Sequence, residues 1–156
     1  MSTTQSVTVH LLGDMAFRAI TGTGHEVVMD AAPEAGGTDT GARPMELLLV
    51  GLGGCTGMDV ISMLRKMRQD VTDYKIHVSG ERSTDHPKVF TSVHVEHVVR
   101  GRALHMESVK RAVELSATRY CSAAAMLGRV ARIDETYRVI DDQSGREQAG
   151  MLAVAA

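Results

Sequence analysis

The segment GLGGCTGMD, residues 51–59, places a cysteine in an apolar, glycine-rich stretch with helical spacing. From Pro44 to about Arg68 apolar residues recur at the helical period, and proline suits the first turn. Each internal glycine weakens a helix by about 1 kcal/mol relative to alanine. The run therefore indicates a long central helix, buried on most sides in its first half, that another backbone or a ligand approaches closely beside Cys55.

Alternating apolar residues predict strands on both sides of this helix. Residues 7–12, 17–20 and 25–30 predict an antiparallel meander, because glycine turns separate them. Residues 74–81 and 89–99 predict a hairpin. The remaining predictions are a surface loop at 31–42, helices at about 106–119 and 121–130, a last strand at 136–140, and loose termini at 1–6 and 142–156.

This order of elements indicates an α+β fold in which helices pack against an antiparallel sheet. The chain of 156 residues is long enough for one domain with its own core, so we expect a single domain over residues 1–156. His94 and His97 lie three apart in the long strand and face opposite sides, which makes them a poor metal pair. Solvent-exposed positions are expected for both.

Charge and hydropathy argue against several classes of partner. The net charge of −2 provides no basic footprint for nucleic acid and no polybasic membrane patch. No apolar run of about 18 residues predicts a membrane span, and the polar start differs from a signal peptide. We therefore expect a cytoplasmic protein that binds neither nucleic acid nor membrane.

The second cysteine, Cys121, lies in RYCSAAAML, residues 119–127. In a reducing compartment two cysteines form a transient redox pair, or remain free, more often than they form a permanent structural disulfide. No histidine or further cysteine stands at metal-ligand spacing from either thiol. Zinc binding therefore has little support from the sequence, and we predict no metal and no cofactor.

Both cysteine segments belong to a wider pattern of motifs. They combine with RPMELLL at 43–49, DVI at 59–61, RQDV at 68–71 and LSA at 115–117. Together these segments resemble the OsmC/Ohr family of thiol-dependent peroxide-handling proteins, and its YhfA-like branch more closely than the Ohr or founding OsmC branches. The resemblance covers roughly residues 7–140. It implies an OsmC-like fold and an intertwined homodimer whose long helices cross at the centre, with sites at the interface.

The resemblance also implies a chemistry. Cys55 would attack a hydroperoxide, Cys121 would resolve the sulfenic acid as a disulfide, and an external dithiol would restore both thiols. In peroxide-reducing relatives an arginine and a glutamate assist the attacking thiol, and we assign these roles to Arg18 and Glu46. Aligned on the glycine run, the glutamate position falls on Met45, one residue before Glu46. Two further arginines, Arg43 and Arg119, are rivals to Arg18.

Two hypotheses about function follow from these residues. The first is a thiol-dependent peroxidase for organic hydroperoxides, acting in oxidative-stress defence. The second is a dimeric binding or sensing module for a small apolar or thiol-reactive ligand, which Met45 favours. Another thiol chemistry, such as acyl or persulfide transfer, is a residual alternative. Asp59, one turn after Cys55 on the same helix face, needs a partner of its own, because an ionised carboxylate there raises the thiol pKa.

Overall fold

The computed structural model describes residues 3–153, and it confirms the α+β class. The elements in chain order are β1 (Val7–Gly13), β2 (Ala16–Thr21), β3 (Glu26–Met29), α1 (Pro44–Lys66), β4 (Asp70–Arg82), β5 (Phe90–Arg102), α2 (Met106–Leu115), α3 (Ser122–Leu127), β6 (Arg132–Asp141) and β7 (Glu147–Met151). A short 3₁₀ helix, Pro33–Ala35, precedes α1, and a π-helical turn, Ser116–Tyr120, follows α2. The chain divides between Leu48 and Leu49 into two compact units, an N-terminal and a C-terminal one.

The N-terminal unit contains the predicted meander, in which β2 pairs antiparallel with both β1 and β3. The loop after β3 is organised by the buried carboxylate of Asp30. That carboxylate accepts hydrogen bonds from the backbone N–H groups of Ala31, Thr38 and Thr40 and from both threonine hydroxyls. The Thr40 N–H is the largest of the causes that hold the pKa of Asp30 well below its usual range.

The C-terminal unit contains a four-stranded sheet in the order β4-β5-β6-β7. The predicted hairpin of β4 and β5 is confirmed. β6, however, runs parallel to β5, so the sheet is mixed where an antiparallel one was predicted. The parallel pairing follows from the connection, because α2 and α3 carry the chain back across the sheet before β6 begins.

The predicted loose C-terminal segment requires a correction. Residues 147–151 form β7, which pairs antiparallel with β6 at the sheet edge. The Leu152 backbone N–H also donates to the Glu135 carbonyl, 3.0 Å away. At the other end, residues 3–6 precede β1 without regular structure. The predictions for residues 1, 2 and 154–156 lie outside the described residues.

The core of the C-terminal unit forms where α1 and α2 meet the sheet. Its members are buried apolar side chains: Val60, Leu64, Val99, Val109, Ala112, Val113, Tyr137 and Val139. Burial of each larger aliphatic side chain contributes roughly 1.5–3 kcal/mol. This core holds the middle of α1, and therefore its cysteine, in a fixed position against α2.

Two glycines of α1 allow the helix to lie close to β4. A β-carbon on Gly57 would stand 2.6 Å from Ile76 Cδ1, and one on Gly53 would stand 3.2 Å from Val78 Cγ2. A side chain at position 57 would therefore require Ile76 to shift. At these two glycines the close approach is made by side chains of a strand, whereas the sequence favoured another backbone or a ligand.

The first half of α1 is less buried in the single chain than predicted. Leu48 and Val50 are 46% and 64% exposed, and Met58, just past the midpoint of the helix, is 74% exposed. Among the described residues α1 is also the one helix long and apolar enough to cross a membrane, by length and composition alone. The core helix of a soluble protein passes the same test, so the prediction of no membrane partner stays a prediction.

Candidate functional site

Cys55 and Cys121, 66 positions apart in the sequence, lie side by side in the C-terminal unit. Cys55 projects from the middle of α1 and is half-buried, whereas Cys121 is 3% exposed and caps the N-terminus of α3. Their sulfurs and one carboxylate oxygen of Asp59 all lie within 4.8 Å of one another. Both thiols are free. The structure therefore holds two free thiols close together.

The π-helical turn positions Cys121. We predicted an uninterrupted helix to Arg119, but α2 ends at Leu115 and the π-helical turn Ser116–Tyr120 follows it. The Cys121 N–H then donates to the Ser116 carbonyl, 2.9 Å away, which is a bond across five residues. A π turn holds one residue more than an α turn and frequently marks a functional site. Here it directs Ser116 and Cys121 toward the same part of α1.

A chain of hydroxyl groups supplies the partner that Asp59 needs. Ser116 Oγ donates to Asp59 Oδ2 over 3.1 Å and lies 2.9 Å from Thr56 Oγ1. Since a serine hydroxyl carries one proton, Thr56 must be the donor to Ser116. Thr56 and Ser116 are 1% and 0% exposed. Thr56 and Asp59 are the polar residues of an otherwise apolar part of α1, residues 47–61, and this pattern could have indicated the buried contact.

The environment of Cys121 favours the neutral thiol. Burial is the largest cause that raises its pKa to about 11, and the neighbouring Cys55 adds to the increase. The Ala124 N–H, which donates to Cys121 Sγ over 3.4 Å, opposes the effect. Near neutral pH this sulfur is therefore protonated, which makes it a weak nucleophile toward a substrate.

Glu46 and Arg43 have structural partners within the N-terminal unit. Glu46 Oε2 accepts a hydrogen bond from the Arg43 backbone N–H over 2.9 Å. This contact is one half of a capping box at the start of α1. The Arg43 guanidinium binds the Asp39 carboxylate and donates to the Asp30 and Gly41 carbonyls. The predicted catalytic role of Glu46 stays a prediction beside this observed capping role.

The other candidate arginines lie on two different elements. Arg18 is on β2, where its guanidinium is 3.9 Å from the Glu26 carboxylate. Its Nε is buried and has no hydrogen-bond partner within residues 3–153. Arg119 lies in the π turn, with its guanidinium 5.4 Å from the centre of the Tyr120 ring. Assistance of Cys55 by Arg18 stays a prediction.

A second buried polar chain was missed entirely. His97 is 0% exposed, so the expectation of a solvent-exposed position was wrong. Its Nδ1 lies 2.6 Å from the Tyr74 hydroxyl and its Nε2 lies 3.0 Å from Glu135 Oε2. Burial, followed by the Glu135 charge, raises the pKa of Tyr74 far above its usual range. These hydrogen-bonded side chains cross the sheet and link the three strands β4, β5 and β6.

Comparison with known proteins places this architecture and its thiol pair in a family. The model of OsmC-like proteins matches residues 37–136, a segment that contains both cysteines. The chain therefore belongs to the OsmC-like family. It is 38% identical over 126 residues to Protein YhfA of Escherichia coli K12, a match that covers 81% of this chain and 91% of that protein.

Solved structures share this fold. A hypothetical protein from Aquifex aeolicus is 30% identical, with a TM-score of 0.80 over 91% of this chain and 100% of the other. An organic hydroperoxide resistance protein OsmC from Legionella pneumophila is 13% identical, with a TM-score of 0.63 over 89% and 97%. At that identity the second likeness concerns the fold alone.

Proposed function

We propose that this protein is a thiol-dependent peroxidase that reduces organic hydroperoxides in oxidative-stress defence. The observation that carries the proposal is the pair of free thiols of unequal exposure, Cys55 and Cys121, held within 4.8 Å in the C-terminal unit. The unequal exposure divides the roles. The more accessible Cys55 is the thiol that attacks the substrate, and the buried Cys121 is the thiol that resolves the sulfenic acid. The name of the Legionella neighbour supports the substrate class.

The reaction proceeds in two steps and a recovery. The Cys55 thiolate attacks the distal oxygen of the hydroperoxide, the O–O bond breaks, and the alkoxide leaves as the alcohol after taking up a proton. Cys121 then attacks the sulfur of the sulfenic acid. An S–S bond forms, the S–O bond breaks, and the departing hydroxide leaves as water with the proton of the Cys121 thiol. A dithiol reductant finally reduces the disulfide by exchange.

The proposal assigns assistance of Cys55 to Arg18 and Glu46, on the strength of the family resemblance. The capping contact of Glu46 makes a clean test available, because glutamine also serves at the third position of a capping box. Glu46→Gln therefore keeps the helix start while it removes the charge. Lost turnover with unchanged stability would support a catalytic role, and unchanged turnover would leave Glu46 a cap.

The same proposal includes a homodimer, a single domain over the whole chain and a cytoplasmic location. Contiguous exposed apolar surface is rare on monomers. In the N-terminal unit, strand β1 exposes Val7, Val9 and Leu11 by 64%, 48% and 61%. Multi-angle light scattering should give a mass of two chains. A single-chain mass would overturn this part of the proposal and leave the thiol chemistry standing.

The deciding experiment is a thiol count and intact mass after one equivalent of cumene hydroperoxide, with hydrogen peroxide in parallel. We expect wild-type protein to lose both thiols to a Cys55–Cys121 disulfide, faster with the organic peroxide. Cys121→Ser should stop at the sulfenic acid, and Cys55→Ser should keep its remaining thiol. Full peroxide consumption by Cys55→Ser would refute the assignment of the attacking thiol.

One observation favours a second candidate function, a dimeric binding or sensing module for a small apolar or thiol-reactive ligand. The residue aligned with the family glutamate is Met45, and the neighbouring Glu46 is engaged in capping. A module of this kind would leave both thiols reduced in the peroxide experiment. It would instead bind an apolar thiol-reactive probe stoichiometrically, and Cys55→Ser would abolish covalent capture.

A further inference from the structure

Three potential metal ligands converge at one place in the C-terminal unit. Cys55 and Asp59 stand four residues apart on α1, which places their side chains on the same helix face. Cys121 approaches from the start of α3. The two sulfurs and an Asp59 oxygen lie within 4.8 Å of one another. The sequence concealed this set, because the third ligand arrives only through tertiary packing.

We propose that the reduced protein binds one thiophilic divalent cation, with Zn²⁺ as the biological occupant, through Cys55, Cys121 and Asp59. Two thiolates and a carboxylate are ligands that zinc accepts, whereas magnesium and calcium require oxygen ligands throughout. Three protein ligands leave the fourth tetrahedral position to water, as in catalytic rather than structural zinc sites. The inference concerns binding alone and does not depend on peroxide chemistry.

The observed separations are close to those that zinc needs. Zinc–sulfur bonds of about 2.3 Å place two tetrahedral sulfur ligands about 3.8 Å apart. The present upper limit of 4.8 Å therefore requires the two sulfurs to close by about 1 Å at most. Rotation of the half-buried Cys55 side chain is the movement we expect to close this gap, because Cys121 is buried and Asp59 is held by Ser116. Each thiol releases its proton to solvent as its sulfur binds.

Two of the three ligands, Asp59 and Cys121, already accept hydrogen bonds from neighbouring groups. The Ser116 hydroxyl, itself held by Thr56, donates to Asp59 Oδ2 and leaves Oδ1 for a metal. The Ala124 N–H donates to Cys121 Sγ. Hydrogen bonds of this kind fix the direction of metal ligands and raise affinity. Within residues 3–153, Asp59 forms no ion pair, so its one observed partner is the Ser116 hydroxyl.

Bound metal would compete directly with oxidation of the pair. Two sulfurs that coordinate one cation cannot also form a disulfide, and neither is free to attack a peroxide. A zinc-loaded protein would therefore be a protected, inactive form, and oxidation would release the metal. This consequence links the metal to the proposed function, whereas the binding itself is measured without any peroxide.

Cobalt titration of the reduced, metal-free protein tests the inference, because Co²⁺ occupies zinc sites and reports thiolate ligation by charge-transfer absorption. We expect wild-type protein to develop this absorption with one equivalent of Co²⁺ per chain and to lose it when Zn²⁺ is added. Cys55→Ser and Cys121→Ser should each reduce the absorption and weaken binding. Asp59→Asn should weaken binding while the matched surface variant Asp73→Asn does not.

Ser116→Ala should lower the affinity by about 10–100-fold, as expected for loss of an outer hydrogen bond. The spectrum of cobalt-loaded wild-type protein alone shows whether thiolates bind the metal. The test therefore does not depend on whether every variant folds. Absence of thiolate charge transfer in reduced wild-type protein would overturn the inference. So would equal binding by the double variant Cys55→Ser/Cys121→Ser, since the surface histidines would then be the ligands. Either result leaves the peroxide experiment unaffected.

Discussion

Ser116 donates its single hydroxyl proton to the carboxylate of Asp59, 3.1 Å away, on the turn of α1 that follows Cys55. The bond joins the π turn to the central helix at the point where the thiols meet. It also stabilises a carboxylate that would otherwise stand beside two sulfurs with no donor of its own. Asp59 is therefore a fixed, oriented neighbour of the thiol pair.

Replacement of Ser116 by alanine tests the structural weight of this bond. The change removes the partner of Asp59 and also the acceptor of the buried Thr56 hydroxyl. We expect the free energy of unfolding to fall by about 1–3 kcal/mol, as for a buried polar group left unsatisfied. Urea denaturation measures the change. The exposed Ser79 on β4 supplies the control, because Ser79→Ala should alter stability by less than about 0.5 kcal/mol.

Removal of the Tyr74 hydroxyl should destabilise the sheet. Tyr74→Phe leaves Nδ1 of the buried His97 without its partner and breaks the chain to Glu135. We expect a loss of about 1–3 kcal/mol in chemical denaturation. Tyr120, which is half-exposed, provides a matched control in which loss of the hydroxyl should cost less than about 0.5 kcal/mol. Equal effects of the two changes would show that the hydrogen bonds from Tyr74 through His97 to Glu135 add nothing to stability.

The raised pKa of Cys121 predicts a pH-dependent stability. Because its pKa rises from 9.0 to about 11 on folding, the folded protein keeps a proton that the unfolded chain has lost between these values. Stability contributed by this group is therefore full below about pH 9 and falls as pH rises toward 11. Urea denaturation across this range should show the decline in wild-type protein and a smaller one in Cys121→Ala. If the free energy of unfolding declined equally with pH in both proteins, the raised pKa of Cys121 would be contradicted.

Asp30 predicts the opposite behaviour in acid. Since folding lowers its pKa, the folded protein binds fewer protons than the unfolded chain, and stability must fall as pH drops below the unfolded value of about 3.9. Asp30→Asn should be less stable at neutral pH and should lose part of this acid dependence. Thermal unfolding at several pH values measures both effects. Asp85→Asn, at an exposed position between β4 and β5, should behave like wild type.

Hydrophobic periodicity identified the meander, the central helix and the long hairpin, because each has a clear period of two or about 3.6 residues. The direction of β6 could not be predicted in the same way, since it depends on how α2 and α3 cross the sheet. β7 was missed for a different reason. Its residues Glu147–Met151 carry little alternation, and an edge strand needs only one partner.

The site divides along a similar line. Residue type and family resemblance selected Cys55 and Cys121, and the structure brings both together. Ser116 escaped notice because its direction depends on a break in α-helical hydrogen bonding that no apolar pattern records. Glu46 illustrates the converse. A carboxylate near the start of a helix suits capping as well as catalysis, and only coordinates reveal its hydrogen-bond partner.

The direction of Cys121 depends on the number of residues in the π turn. An α-helix advances by 100° per residue. Deletion of one residue between Ser116 and Tyr120 would allow α2 to continue as a regular helix and would rotate everything after it by that angle. Cys121 would then point away from Cys55 although every residue of the thiol site was still present. Within this family a gap in an alignment at this turn would therefore signify more about the chemistry than many substitutions around it.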